Sequence, residues 1–204
     1  MIKSVDEDRQ YVARTVAGDY RAFEDLVDKY QGRVYRHIRK MVNDSGQAED
    51  ILQETFLNAY RGMGDFAGAS AFSTWLFRIA TNNALMYLRK ARPETVEFND
   101  DIRNDHHSSL WAESPELVNT PLEKLLSMEG RKKIEEAIES LPVPYRSVLV
   151  LRDVEGFSLQ EVAEIVDASV AAVKSRLHRA RNAVKDKLLD YYADNELYAS
   201  GVPS

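Results

Sequence analysis

Residues 94–127 divide this chain. The segment holds Asn99-Asp100-Asp101, Asn104-Asp105-His106-His107, Pro115 and Pro121, shows little apolar periodicity, and carries 8 Asp/Glu against 2 Lys/Arg. Such a composition cannot bury enough apolar surface to offset the entropy of ordering, so it reads as an acidic flexible linker. The flanking stretches must then fold as two small domains, each with its own core. On both sides apolar residues recur at spacings of three and four, and no strand-like alternation lasts more than a few positions, so the expected fold class is all-α. The expected organisation is a helical domain over 10–93, the linker over 94–127, a second helical domain over 128–190, and a C-terminal tail over 191–204 that reads as disordered.

Within the first domain, Phe23, Leu26, Val27, Tyr30, Val34, Tyr35 and Ile38 predict a helix over about 22–39. Asn43-Asp44-Ser45-Gly46 interrupts it, with Asp44 or Ser45 able to cap a helix from Gln47 to about Arg61. Gly62, Gly64 and Gly68 mark a loop, and a third helix runs from Ser70–Ser73 to about Arg92, where Pro93 ends it. Helical pattern resumes from about Pro121 to Leu141, breaks at Pro142-Val143-Pro144, and returns in Tyr145–Asp153 ahead of Gly156.

The net charge of −6 equals the imbalance of the linker alone; residues 170–188, by contrast, carry six Lys/Arg against Asp186. That basic stretch follows two capping signals. Ser158-Leu159-Gln160-Glu161 is a capping box, in which the Ser hydroxyl accepts from the Glu backbone N–H and the Glu carboxylate reaches back to the Ser N–H. Leu159, Val162, Ala163 and Val166 give the ensuing helix its apolar side, and Asp167-Ala168-Ser169 forms a short turn with Ser169 placed to cap a second helix. Two helices joined so briefly must cross, which is a helix-turn-helix. On the second helix Val170, Val173, Leu177, Ala180 and Val184 make one apolar stripe; the opposite face carries Ala171, Ser175, His178, Arg179 and Asn182, flanked by Lys174, Arg176 and Lys185. Such a helix suits the DNA major groove, with Ser175, His178 and Arg179 toward base edges and Lys174, Arg176 and Arg181 toward phosphates.

Other chemistries find little support. There are no cysteines, His106-His107 has no ligand partner at metal spacing, and neither a phosphate-cradling Gly-rich loop nor a nucleophile–base pair is visible, so the expectation is a non-enzyme with no metal and no cofactor. No run approaches the roughly 18 apolar residues of a membrane span and the N-terminus lacks a secretory signal, so no membrane insertion is expected and the cytoplasm is the expected compartment.

The run from Leu141-Pro142-Val143-Pro144-Tyr145-Arg146 to Glu155-Gly156-Phe157-Ser158, with Glu161-Val162-Ala163 and Val173-Lys174-Ser175-Arg176-Leu177-His178-Arg179-Ala180-Arg181, resembles domain 4 of the extracytoplasmic-function (ECF) sigma factors of the sigma-70 family. Upstream, Ala48-Glu49-Asp50-Ile51-Leu52-Gln53-Glu54-Thr55-Phe56-Leu57-Asn58-Ala59-Tyr60 and Phe72-Ser73-Thr74-Trp75-Leu76-Phe77-Arg78-Ile79-Ala80 resemble domain 2 of the same family, in the family's order. The resemblance implies a non-catalytic subunit of RNA polymerase that directs promoter-specific initiation. Domain 4 would read the −35 element and meet the flap of the second-largest subunit; domain 2 would bind the clamp helices of the largest subunit through Asp50, Gln53, Glu54 and Leu57. It would also capture the −10 element through Asp65, Phe66, Ser70, Ala71 and Asn82, with Arg78 and Arg89 on phosphate. An anti-sigma factor is the further implied partner, and the linker would thread the polymerase cleft and RNA exit channel.

Periodicity places Ala48, Ile51, Leu52, Thr55, Phe56 and Ala59 in a buried stripe, leaving Leu57 exposed among carboxylates as a docking surface would. On the third helix Phe72, Trp75, Leu76, Ile79, Ala80, Met86 and Tyr87 are expected inside, and Thr74, Arg78, Thr81, Asn82 and Arg89 outside. The chain departs from the family at Ala171-Ala172, where relatives usually have Gly-Thr, and at Asn83, which falls in an apolar stripe and is expected to hydrogen-bond a neighbouring helix. The competing reading is a free-standing helix-turn-helix regulator acting on DNA without polymerase.

Overall fold

The computed structural model describes residues 2–66, 68–91 and 128–199, and every regular element among them is helical. The linker expected over 94–127 lies outside the described residues. Before it stand α1 (Ile2–Val16), α2 (Tyr20–Met41), α3 (Ser45–Gly62), a 3-10 turn (Met63–Asp65) and α4 (Phe72–Ala91). After it stand α5 (Met128–Glu139), α6 (Val143–Leu149) running into a π turn (Val150–Val154), α7 (Leu159–Ile165) and α8 (Val170–Ala199).

In domain 2 the caps lie where side chains can satisfy orphan backbone donors. Asp19 accepts from the Arg21 N–H at 3.1 Å, and Asp44 from the Gln47 N–H at 2.8 Å. The α2 stripe of Phe23, Leu26, Tyr30, Val34 and Ile38 packs with Ala48, Ile51, Phe56 and Ala59 of α3 and with Phe72, Leu76, Phe77 and Ala80 of α4. Asn83 donates to the Thr55 hydroxyl of α3 at 3.3 Å, and that hydroxyl donates to the Ile51 carbonyl, so the expected bond to a neighbouring helix is present.

Three expectations are corrected. Helix α1 begins well before residue 10 and joins the core through buried Val12, with polar contacts beside it: Asp8, buried, accepts from the Tyr30 hydroxyl and pairs with Lys29 at 2.7 Å, and Arg14 pairs with Asp19 at 2.7 Å. Helix α4 is enclosed on more sides than one stripe requires, because it packs against α2, α3 and α7 together. Thr74 and Thr81 are therefore buried, along with Phe77, Ala84 and Leu85, while Met86 is 66% exposed. The tail is not wholly irregular, since α8 continues through Ala199.

Domain 4 is organised around α8, against which α5, α6 and α7 pack. Pro144 sits in the first turn of α6, where a missing N–H costs nothing. Gly156 takes φ +81° between the π turn and α7, a conformation only glycine adopts freely.

The two domains touch. Phe77 of α4 meets Phe157 at a centroid distance of 4.9 Å, and the Arg33 guanidinium of α2 lies over both rings, 5.4 Å from Phe77 and 5.9 Å from Phe157. Arg33 also pairs with the Glu155 carboxylate at 3.2 Å and donates to its carbonyl at 3.1 Å. The Thr74 hydroxyl donates to Glu161 at 3.3 Å. Arg146 of α6 donates to the Met41 carbonyl at the end of α2, and to the Glu139 and Leu141 carbonyls at the end of α5. One cation thus serves two helix C-termini, where unpaired carbonyls and the macrodipole favour positive charge.

Candidate nucleic-acid and protein-docking surfaces

The helix-turn-helix forms as its caps dictate. Ser158 and Glu161 make both bonds of the capping box, at 2.8 and 3.2 Å, and Ser169 accepts from the Ala172 N–H at 3.1 Å. Between α7 and α8, Asp167 adopts φ +51°, a left-handed conformation that Asp tolerates better than most residues, and this turns the chain sharply enough for the helices to cross. Val173, Leu177 and Ala180 are buried, with Val170 and Val184 partly so, which aims the other side of α8 outward.

On that outer side Lys174, Ser175, His178 and Arg179 are exposed. Asn182 contacts His178 at 3.2 Å, and Arg179 donates to the Tyr145 hydroxyl at 3.3 Å. The remaining two cations are placed differently. Arg176 is only 8% exposed; three residues from Val173, it lies about 60° round the helix from the apolar stripe and packs inward. Arg181 makes a two-pronged pair with Asp153 of the π turn, at 2.6 and 2.9 Å, which raises its pKa. A phosphate contact by Arg181 would have to compete with that carboxylate.

On α3, Asp50, Gln53 and Glu54 are exposed and Leu57 is 50% exposed, while the opposite stripe is in the core. The apolar area extends further than Leu57. Tyr60, one turn on, is 45% exposed and packs edge-on against exposed Tyr20 of α2, at 5.9 Å. Tyr20 and Tyr60 are therefore part of this surface, though neither stands out in the sequence. The i, i+3 spacing of Leu57 and Tyr60 was the available signal for Tyr60; none marked Tyr20.

At the start of α4, Asp65 is exposed, and Ser70 and Ala71 are half-buried. Phe66 is half-buried against Trp75 and Phe72, at 5.0 and 6.1 Å, so its ring is a wall of the local aromatic cluster. Gly68 takes φ +67° in this loop. Arg78, Asn82 and Arg89 are exposed along one side of α4. Between α2 and α4, His37 is fully buried, its Nε2 2.9 Å from the Thr81 hydroxyl; burial pushes its pKa down to about 4, so the ring is neutral. Among the described residues no cluster of three or more potential metal ligands occurs, and no helix is long and apolar enough to cross a membrane.

Residues 26–94 match the family model for sigma-70 region 2, and residues 131–184 that for sigma-70 region 4. The RNA polymerase sigma-H factor of Pseudomonas aeruginosa is 38% identical over 190 residues, covering 90% of this chain and 94% of that protein. The ECF RNA polymerase sigma-E factor of Escherichia coli K12 is 39% identical over 183 residues, covering 89% and 94% respectively. Among solved structures, CnrH in complex with the cytosolic domain of CnrY superposes with a TM-score of 0.63 at 26% identity, over 91% of this chain and 99% of that one. The sigma factor RpoE of Bartonella quintana, solved with the anti-sigma factor NepR, shares the fold at a TM-score of 0.59 and 22% identity, over 81% and 96%. The chain belongs to the sigma-70 family of RNA polymerase sigma factors, in its extracytoplasmic-function branch.

Proposed function

We propose that this sigma factor brings core RNA polymerase to promoters by a two-point grip, with domain 2 at the −10 element and domain 4 at the −35 element. The observation that carries this reading is a division of surfaces. One helix, α8, presents Lys174, Ser175, His178 and Arg179 as a basic reading face, while a second, α3, presents Asp50, Gln53, Glu54 and Leu57 as an acidic face with an apolar centre. The first suits a phosphate-lined groove and the second would be repelled by it, so the second is a protein-docking surface. Its partner is the clamp helices of the largest polymerase subunit, and domain 4 meets the flap of the second-largest.

At the −10 element, the half-buried rings of Phe66 and Trp75, with Asp65, Ser70, Ala71 and Asn82 around them, receive an unpaired base. Arg78 and Arg89 hold the displaced backbone. The protein contributes no catalytic group of its own. It works in the cytoplasm, where the polymerase is, and an anti-sigma factor holds it inactive; the sigma factor RpoE of Bartonella quintana, which shares this fold, is solved in complex with the anti-sigma factor NepR.

Footprinting of DNA by the free protein and by the protein with core enzyme tests this reading. Protection at two elements only when core is present is the expected result. Strong sequence-specific protection by the free protein, unchanged by core, would instead make it a free-standing helix-turn-helix regulator.

A further inference from the structure

Two arginines of α8 are held in unlike ways. Arg181 gives its Nε and Nη2 to the Asp153 carboxylate, at 2.9 and 2.6 Å, and Arg14 grips Asp19 with the same two nitrogens, at 3.0 and 2.7 Å. Arg179 instead donates from Nη1 to the Tyr145 hydroxyl, at 3.3 Å. A guanidinium is planar and carries its N–H donors in a fixed fork. A bond at Nη1 therefore orients the plane and leaves open the Nε–Nη2 edge, the edge with which the other two arginines take a carboxylate. That edge also matches the O6 and N7 acceptors of guanine in the major groove. A phenol hydroxyl brings no counter-charge, so Arg179 keeps its attraction for DNA, whereas the Asp153 carboxylate offsets that of Arg181.

Tyr145 is a firm support for such a contact. Its ring is half-buried and packs against the hydrophobic core. Its backbone N–H and that of Arg146 both bond the Pro142 carbonyl at 3.0 Å, and Pro144 fixes φ at the position before it. The Arg146 side chain ties the same turn to the Met41, Glu139 and Leu141 carbonyls. Arg179, by contrast, is exposed, and a long side chain loses rotamer freedom when it is immobilised at an interface. Holding it in its reading pose before DNA arrives removes part of that loss.

We propose that Tyr145 is a positioning residue for −35 recognition: its hydroxyl orients the Arg179 guanidinium so that the Nε–Nη2 edge is presented to one guanine, and thereby sets how strictly that position is read. The effect on promoter reading rests on the base-contacting role given to Arg179 above; the orientation of Arg179 does not. Tyr145 acts through Arg179 and not on DNA itself. At 3.3 Å the bond is longer than the roughly 2.7–2.9 Å of a strong charge-assisted one, so its net worth falls in the ordinary range; its loss is expected to relax discrimination about three- to tenfold.

Tyr145→Phe removes the hydroxyl and keeps the ring, and two measurements on the full chain separate orientation from recognition. In the free protein, 15N relaxation of the Arg179 Nε, its signal identified by absence from Arg179→Ala, is expected to show an ordered guanidinium that becomes mobile in Tyr145→Phe at an unchanged urea midpoint. Equal order in the two proteins would overturn the positioning. With core polymerase, competition binding is measured on promoters carrying each base at each −35 position. Tyr145→Phe is expected to lower discrimination about three- to tenfold at the one position that Arg179→Ala relaxes, with unchanged salt dependence, and to add nothing in the Arg179→Ala background. Full discrimination kept by Tyr145→Phe would overturn the role in recognition. So would a loss that persists in Arg179→Ala, since Tyr145 would then meet DNA directly. If Arg179→Ala weakens every sequence equally, the base-contacting role of Arg179 falls and the role of Tyr145 in recognition falls with it, while the relaxation result still decides the positioning.

Discussion

Replacing Leu57 by Ala separates docking from folding, because the residue is half exposed. Fully burying a leucine is worth about 1.5–3 kcal/mol relative to leaving it exposed. The exposed half of Leu57 therefore offers a partner roughly 0.7–1.5 kcal/mol, which is a factor of about 3–13 in dissociation constant. The fold should hardly notice, since a surface truncation of this kind usually shifts stability by about 0.5 kcal/mol or less. Ile51→Ala provides the contrast: Ile51 is in the core between α3 and its neighbours, and truncation there costs about 2–5 kcal/mol. The assay is a titration of labelled protein with core polymerase, beside urea denaturation of the same samples. Leu57→Ala should weaken core binding about 3–13-fold at unchanged midpoint, and Ile51→Ala should lower the midpoint. Unchanged core binding by Leu57→Ala would refute the assignment of the α3 face, and a large stability loss would refute its being half-solvated.

Three further outcomes follow from the geometry. His37 is held neutral in the core with a pKa near 4, whereas in the unfolded chain it protonates below about pH 6.5; stability should fall as pH drops through that window, by about 2 kcal/mol between pH 7 and 5, and His37→Gln should flatten this slope in denaturation curves. Arg179→Ala should cost about 1–3 kcal/mol at one −35 position in a promoter-variant panel, and an equal loss on every sequence would move Arg179 to the phosphate class. Asp153→Ala releases Arg181 from its carboxylate partner, so binding of holoenzyme to −35 DNA should tighten, by up to roughly fivefold for a pair worth ~1 kcal/mol, and show a steeper salt dependence; an unchanged slope would mean that Arg181 does not reach phosphate.

The readable parts of this fold were those in which a local pattern decides the structure. The capping box at Ser158, the Ser169 cap, the α3 stripe and the Asn83 bond depend on residues a few positions apart or on one neighbouring helix, and each is found as expected. The misread parts depend on contacts that periodicity does not encode. Helix α1 is fixed by Val12 in the core together with Asp8 reaching Lys29 and Tyr30, a polar anchor 21 and 22 residues away in sequence. Thr74 looked solvent-facing because the element that covers it, α7, belongs to the other domain. Arg176 lies at the margin of its stripe, where charge argues for solvent and packing decided for the interior. The contact at Arg33 has no sequence signature, since a lone Arg on a helix exterior is ordinary until Phe77, Glu155 and Phe157 are brought to it.

The most direct test of the account is in vitro transcription with purified core polymerase from a library of genomic fragments, with sequencing of RNA 5′ ends. Addition of this protein should create start sites that share two upstream motifs at one fixed separation, and the Leu57→Ala and Arg179→Ala variants should reduce them. No protein-dependent start sites, with the protein folded and core active, would contradict the assignment of a two-point promoter grip.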